Sequence, residues 1–245
     1  MPVRDEAASI PIVLKKLSAA VETAHEVLII YDHSEDDSIA AVKSIQPKYP
    51  RLRLVYNDLG GGILNALYKG IEAAQGQYIL IACVDDIGPV LAIDSMVVLL
   101  DQGCDFVSGT RYDHGGRRLG GSRHGAFLST FANTLFRLGG SVLSDSTTGF
   151  KMFKRRCFRE LKLESRRVGW VVAFEIGIKA QLAGFKLGEI PILSIDRLYG
   201  GKSTFQALPW FIEYSCWFCW GIIQLHAQKH RPQVLVYIPA VTPLK

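Results

Sequence analysis

Residues 26–38 read Glu26-Val-Leu-Ile-Ile-Tyr31-Asp32-His-Ser34-Glu-Asp36-Asp37-Ser38. The unbroken apolar run has the form of a parallel strand buried on both faces. It ends in four carboxylates within six residues, and Asp36 or Asp37 then caps a helix reaching about Ile45, Asp37 being the preferred cap. Working outward, the same alternation recurs. Ser9 to Val21 puts Ile10, Val13, Leu14, Leu17 and Val21 on one helical face. Strands are expected at Leu52–Tyr56, Tyr78–Val84, Asp105–Gly109, Lys151–Lys154 and Phe185–Leu193. Helices are expected from Gly62 to Ala74, at Leu91–Leu100, Gly125–Leu138 and Val172–Ala183. Alternating strands and helices imply an α/β fold: a mostly parallel central sheet with helices on both faces. Ligands of such sheets bind beyond the carboxyl ends of the strands. Here those ends carry Asp32, Asn57-Asp58, Asp85-Asp86 and Thr110-Arg111.

The chain has 245 residues, 49% hydrophobic and 21% charged, with a formal net charge of +5. That composition excludes wholesale disorder and fits one large domain, or one domain with an appendage. Basic residues crowd 111–123 and 151–167, while carboxylates crowd 32–37 and 85–86. An acidic pocket beside a basic one suits a metal with an anionic substrate. No RNA-binding signature or zinc-finger spacing is present, so nucleic acid is not an expected partner. Five cysteines, an odd number in mostly apolar surroundings, argue against a disulfide framework and for a reducing, cytoplasmic setting. No signal-peptide core follows Met1. The aromatic stretch from Phe205 to Leu225 is interrupted by Pro209 and Glu213. It reads as an interfacial segment on the cytoplasmic membrane face, or equally as a core or homo-oligomer helix.

Five constellations carry chemistry. The Asp32–Ser38 acidic turn holds more carboxylates than a cap needs and suits a base and ribose. Asp85-Asp86 follows a buried strand, and two adjacent carboxylates are relieved by a divalent cation, Mg²⁺ or Mn²⁺, or by solvent at a turn. Gly60-Gly61-Gly62 opens a helix, where bare backbone binds anions; a dinucleotide fingerprint, and hence a dehydrogenase, is the competing reading. Arg111, Arg117, Arg118, Arg123, Arg197 and Lys202 form a basic set able to grip phosphates. Asp145 in Asp145-Ser-Thr-Thr-Gly149-Phe150 positions an acceptor or caps a turn. Glu175, on an apolar helix face, is either a general base or a partly exposed helix carboxylate, and for a sugar-hydroxyl acceptor the base is Glu175 or Asp145.

Taken in order, these motifs resemble the family 2 glycosyltransferases of the nucleotide-diphospho-sugar transferase (GT-A) fold, and within them the dolichyl-phosphate mannose synthase-like branch. The matching pieces are Pro2-Val-Arg4-Asp5-Glu6, Asp32-x-Ser34-x-Asp36, Gly62-x-x-x-Ala66 with Gly70-Ile71-x-x-Ala74-x-Gly76, and Asp85. Gly109-Thr110-Arg111-Tyr112, Asp145-x-Thr147-x-Gly149-Phe150, Glu189-Ile190-Pro191, and Arg197 with Gly201-Lys202-Ser203 complete the match, which spans about residues 1 to 205. The resemblance implies that Pro2, Arg4, Asp5, Glu6, Asp32, Ser34 and Gly62 line the nucleotide-sugar pocket. It implies that Asp85, with Asp86 as the alternative, holds the metal, and that Arg111 and Arg123 contact phosphates. Arg197, Lys202 and Ser203 fall in a loop closing over donor and acceptor, with Asp145 near the acceptor. Three departures follow. The family places a strand before its Pro-x-x-Asn/Asp-Glu motif, whereas Met1 directly precedes Pro2, so that strand is missing or the start is misplaced; a missing strand leaves its neighbours' edges open. Cys83 stands where the first carboxylate of the family's D-x-D falls. The family's transmembrane tail is absent, and 231–245 has no reading.

The expected protein is therefore a hexosyltransferase, inverting and dependent on Mg²⁺ or Mn²⁺. It moves a sugar from a nucleotide-diphospho-sugar to a polyprenyl phosphate or a glycan hydroxyl. The alternative is a degenerate nucleotide-sugar-binding or scaffold protein. The expected organisation is a catalytic domain over 1–204 and an aromatic-rich segment over 205–245 that meets a membrane surface or a second copy.

Overall fold

The computed structural model describes residues 1–86, 88–120, 123–166, 169–196, 207–228 and 231–238. The order is α1 (Ile10–Ala20), β1 (Val27–Tyr31), α2 (Ser38–Ile45), β2 (Leu52–Tyr56), α3 (Ile63–Ala73), β3 (Tyr78–Ile81), α4 (Ile93–Asp101) and β4 (Phe106–Thr110). Then come β5 (Arg117–Gly120), α5 (Arg123–Gly139), β6 (Lys151–Lys154), α6 (Arg155–Leu161), α7 (Val171–Leu182), β7 (Leu187–Pro191), β8 (Leu193–Asp196), α8 (Ala207–Ala227) and β9 (Val234–Val236).

The α/β class holds, with three local corrections. The main sheet runs β3-β6-β4-β7-β9, and β6 is antiparallel to both its neighbours. The strand expected over Phe185–Leu193 breaks at Ile192. Pro191 cannot extend the ladder as a donor; Ile192 bonds Thr110 and Arg117 and passes the chain to β8. The basic loop after Arg111 is accordingly not all loop, because β5 lies parallel to β8.

β1 and β2 pair in parallel as a separate ribbon. Both begin where β3 begins: Glu26 accepts from the amides of Gln75 and Gly76 and from Arg53. The three strands therefore run the same way, and their carboxyl ends share one edge. Met1–Val3 lie alongside β1 through Ile30 N–H to Met1 O and Val3 N–H to Ile30 O, both 2.9 Å. Between β1 and β3 lies a cavity of about 680 Å³, and among the described residues no strand pairs with that edge of β3.

Two apolar cores flank the sheet. One joins α1 and α4 with Val27, Ile29 and Val107; the other joins α3, α6 and α7 with Ile79, Ile81, Phe106 and Phe153. Alternate residues of β3 serve opposite faces, as the period of two demands. A third cluster packs Phe136 of α5 and Phe174 and Ile178 of α7 against Leu225, Tyr214 and Phe218 of α8.

Candidate active site

The first wall is built where residues 4–7 cross the acidic turn. Asp5 adopts a left-handed backbone, φ 56°, a costly state for a non-glycine residue. It is held there by its amide donating to Asp36 Oδ1, 3.2 Å. Glu6 N–H donates to Ser38 Oγ and Ala7 N–H to Asp37 Oδ1. Asp36 also accepts from Ser38 N–H at 2.8 Å. Asp37 holds the N-cap position of α2 as expected, but its side chain ties down the 4–7 segment instead of capping, and Asp36 takes the Ser38 amide. Arg4 reaches Asp32 at 3.1 Å. Pro2 is half-buried against β1, and Ser34 is exposed on the turn. The Asp5, Asp36 and Asp37 carboxylates converge within 4.8 Å.

The second wall is the glycine turn. Asn57 and Asn65 grip the Gly60 carbonyl at 2.9 and 2.8 Å. Gly62, φ 107°, then enters α3 in a conformation that favours glycine. A Cβ at Gly61 would sit 3.4 Å from Asp32 Oδ2, so the bare loop lies directly against Asp32.

The third element is the tip of β3. Asp86 is committed to the β8 strand: it accepts from Ser194 Oγ at 2.7 Å and Ile195 N–H at 2.8 Å. Asp85 is half-buried at the same tip. Its carboxylate is of the hard oxygen type that Mg²⁺ and Mn²⁺ select, and Asp86 beside it ties the tip to β8.

Beneath the edge lies a buried polar hub that binds the ends of β4 and β7. Arg111 donates Nε to Asp145 Oδ2 at 2.7 Å and Nη2 to Asp145 Oδ1 at 3.0 Å. Asn133, Thr147 and the Thr148 amide also converge on Asp145. Burial works against Asp145's ionisation, but the Arg111 charge and hydrogen bonds, with Lys151 and Thr147, together outweigh it and hold the carboxyl below its ordinary range. Glu189 accepts from the Ser144 amide at 2.8 Å, and burial pushes its carboxyl up to about 7. Lys151, fully buried, donates to Ser108 Oγ, and burial pulls its ammonium down to about 8.

The residues singled out from sequence divide accordingly. Pro2, Arg4, Asp5, Glu6, Asp32 and Ser34 lie on the first wall and Gly62 on the glycine turn beside it, and Asp85 stands at the tip of the neighbouring β3. Arg111 and Asp145 hold each other, so Asp145 is neither a turn cap alone nor a base in waiting. Glu175, weighed as a general base or a partly exposed residue, is fully buried. It accepts from the Glu164 and Ser165 amides and pairs with Lys179 at 2.8 Å, away from the edge. Arg123 opens α5, but its side chain lies outside the described residues, as do Arg197, Lys202 and Ser203. Asn133 and Lys151 went unread in sequence. The available signal for Lys151 was a lysine inside the Lys-Met-Phe-Lys strand, facing the core.

The sheet and its edge define a nucleotide-diphospho-sugar transferase, GT-A, architecture. The chain belongs to glycosyl transferase family 2, which matches residues 1–162. A dolichol-phosphate mannosyltransferase of Mycosarcoma maydis is 26% identical over 194 residues, 77% of this chain and 66% of its own length. Another, of Pyrococcus furiosus, is 22% identical over 208 residues, 80% of this chain and 58% of its own. The chain therefore spans less than two thirds of these relatives. Glucosyl-3-phosphoglycerate synthase of Mycobacterium tuberculosis in complex with uridine diphosphate superposes with a TM-score of 0.66 at 15% identity, covering 90% of this chain and 78% of that one. A mannosyltransferase of Pyrobaculum calidifontis in complex with GDP-Man and Mn²⁺ gives 0.58 at 17%, covering 92% and 71%. At these identities the structures speak for the fold.

Proposed function

We propose that this chain transfers a hexose, with inversion, from a nucleotide-diphospho-sugar to a polyprenyl phosphate. The observation that carries the acceptor is the fate of the two base candidates. Asp145 is locked by Arg111, and Glu175 is spent on a remote turn and Lys179. A sugar hydroxyl needs a base to attack. A phosphate monoester is already anionic near pH 7, with a second pKa of about 6, and needs only orientation. The relatives named as dolichol-phosphate mannosyltransferases support the same acceptor class.

The donor's base and ribose face Asp32 and the 4–6 segment. The glycine turn and the positive end of α3 receive phosphate oxygens. Asp85 would hold the Mg²⁺ or Mn²⁺, with Asp86 fixing the strand tip. That cation, when bound, supplies charge neutralisation for the departing diphosphate. The Arg111–Asp145 clamp keeps the β4 end rigid beneath the reacting groups.

A lipid acceptor also needs a lipid-facing surface. α5 exposes Phe127, Leu128 and Phe131 at 69, 60 and 54%. Phe127 and Phe131 stack with centroids 6.3 Å apart. The expected interfacial segment, by contrast, turns Tyr214 and Phe218 into the third core. Among the described residues no helix is long and apolar enough to cross a membrane.

The test is a donor screen with Mn²⁺ by thermal shift, then turnover with a short polyprenyl phosphate or a sugar hydroxyl. One sugar nucleotide should raise the melting temperature saturably, and transfer should go to the phosphate. Transfer to the hydroxyl alone overturns the acceptor. Binding without turnover on either supports the scaffold reading, and no binding sinks both.

A further inference from the structure

The acidic turn gathers more charge than its backbone contacts require. One carboxylate oxygen each from Asp5, Asp36 and Asp37 lies within 4.8 Å of the other two. Backbone amides account for part of this. Asp36 Oδ1 accepts from Asp5 N–H at 3.2 Å and from Ser38 N–H at 2.8 Å, and Asp37 Oδ1 accepts from Ala7 N–H at 3.1 Å. Those bonds draw the 4–7 segment onto the start of α2. Asp5 brings only its amide to them, so its carboxylate adds a third negative charge that the backbone does not use.

A second observation comes from Asp36 itself. The residue is 4% exposed, and its other oxygen, Oδ2, is buried with no hydrogen-bond partner among the described residues. With Oδ1 committed to two amides, Oδ2 is the oxygen that Asp36 has left to offer beside Asp5 and Asp37. A buried carboxylate oxygen without a partner is unfavourable, and two more carboxylates next to it make it worse. Among the described residues no lysine, arginine or histidine pairs with any of the three; Arg4, in the same segment, pairs with Asp32 instead. A cation relieves both the orphaned oxygen and the repulsion. The donors are all hard oxygens, which excludes soft metals. Asp5 and Asp37 are exposed and sit on irregular backbone, so water completes the shell. That flexible, partly hydrated geometry suits Ca²⁺ better than Mg²⁺, which demands a near-ideal octahedron.

We propose that Asp5, Asp36 and Asp37 form a second divalent-cation site, of the Ca²⁺ class, built from different residues than the one at Asp85. The ion joins Asp5 to the start of α2 and so pins the 4–7 segment. Its role is to hold a wall of the candidate site in place, and it takes no part in the chemistry.

The test uses the Asp85→Ala chain, so that the other candidate ligand is gone. After EDTA treatment it is titrated with Ca²⁺ by calorimetry. One saturable site is expected, and the melting temperature should rise as it fills. The Glu6 and Ala7 amides should exchange more slowly once Ca²⁺ is bound. Asp36→Asn keeps Oδ1 for both amides and replaces Oδ2 with nitrogen. Asp37→Asn keeps the acceptor for Ala7 at an exposed position, so it decides the matter if Asp36→Asn fails to fold. Each change should weaken Ca²⁺ at least about tenfold, because affinity follows the number of charged ligands. Glu35→Gln removes an exposed charge from the same turn and should leave Ca²⁺ binding unchanged. Absence of any saturable Ca²⁺ binding overturns the proposal. So does unchanged affinity in Asp37→Asn, since the ion would then sit elsewhere. Equal weakening by Glu35→Gln also overturns it, because the turn would then attract cations only diffusely. None of these readouts involves donor or turnover, so failure here is separate from failure of the transferase reading.

Discussion

Asp85 and Asp86 are adjacent in sequence and opposite in consequence. Asp86, half-buried, holds Ser194 and Ile195; removing a carboxylate that anchors two such donors typically costs about 1–3 kcal/mol. Asp86→Ala should therefore lower the denaturation midpoint by that order. Asp85→Ala should reduce transfer at least about 100-fold, as loss of one transition-state stabiliser does. Near-normal turnover of Asp85→Ala, measured with saturating Mn²⁺, refutes the metal role. Glu189 gives a prediction in pH. Its carboxyl is raised from 4.5 to about 7 by burial, so the folded chain holds a proton that the unfolded chain releases. The associated stability is fully present below pH 4.5 and lost as pH rises through 7, an effect of about 3 kcal/mol. Glu189→Gln keeps an acceptor for Ser144 and should abolish that slope in denaturant titrations from pH 5 to 8; an unchanged slope assigns the titration elsewhere. The Asp32, Asp85 and Gly62 wall was legible because strand ends collect polar residues in this fold. The Arg111–Asp145 pairing was not, because the two residues are 34 positions apart and only the closing of α5 over β4 brings them together.

At the scale of elements, periodicity located β1, β2, β6 and α7 to within a residue or two. It missed β5 and β9, whose three or four residues carry no alternation of their own and exist by borrowing a neighbour's edge. It missed α6 because Arg155–Leu161 follows β6 without a turn residue. It also ran Phe185–Leu193 through the bend at Pro191 and Ile192. The resulting β5–β8 ribbon approaches the β3 tip closely. A Cβ at Gly88 would stand 1.9 Å from the Leu193 carbonyl oxygen and 2.8 Å from its carbon. Both are backbone atoms, so the ribbon must move. Gly88→Ala should thus detach Asp86 from Ser194 and Ile195 and destabilise the chain by about 1–3 kcal/mol. Donor affinity should fall with it, because the strand tip loses its anchor. A variant with wild-type melting temperature and donor affinity would show that the ribbon does not position the tip.

For the whole molecule, the question is where the transferase unit ends. The motifs fall before about residue 205, and that placed a boundary at 204, with the aromatic segment beyond it as an accessory. The third core argues that the boundary cuts through the fold. Phe136 is fully buried, Ile178 is 2% and Phe174 7% exposed, and α8 supplies Leu225, Tyr214 and Phe218 to cover them. Phe136 meets Phe218 with ring centroids 4.8 Å apart, and Phe174 meets Tyr214 edge-on at 5.1 Å. The polar contacts are equally internal. Glu213 accepts from the Arg166 amide at 3.0 Å, and the Tyr214 hydroxyl accepts from the Trp170 amide at 2.9 Å. Burial lifts that phenol to about 12, as expected of a hydroxyl inside a core rather than at a headgroup surface. Stripping α8 exposes three large side chains, at about 1.5–3 kcal/mol each, against a total stability of about 5–15 kcal/mol for a domain. A chain ending at residue 204 should therefore be aggregated, or should melt at least about 10 °C lower, even though it keeps every candidate donor-site residue. If instead it remained monomeric with an unchanged melting curve, the segment would be an appendage after all, and its aromatic face would be available to a membrane or a second copy. The intermediate variant Phe136→Ala separates the two cases in the full chain. It removes the ring on which α8 sits, so it should cost about 3–5 kcal/mol if α8 belongs to the core.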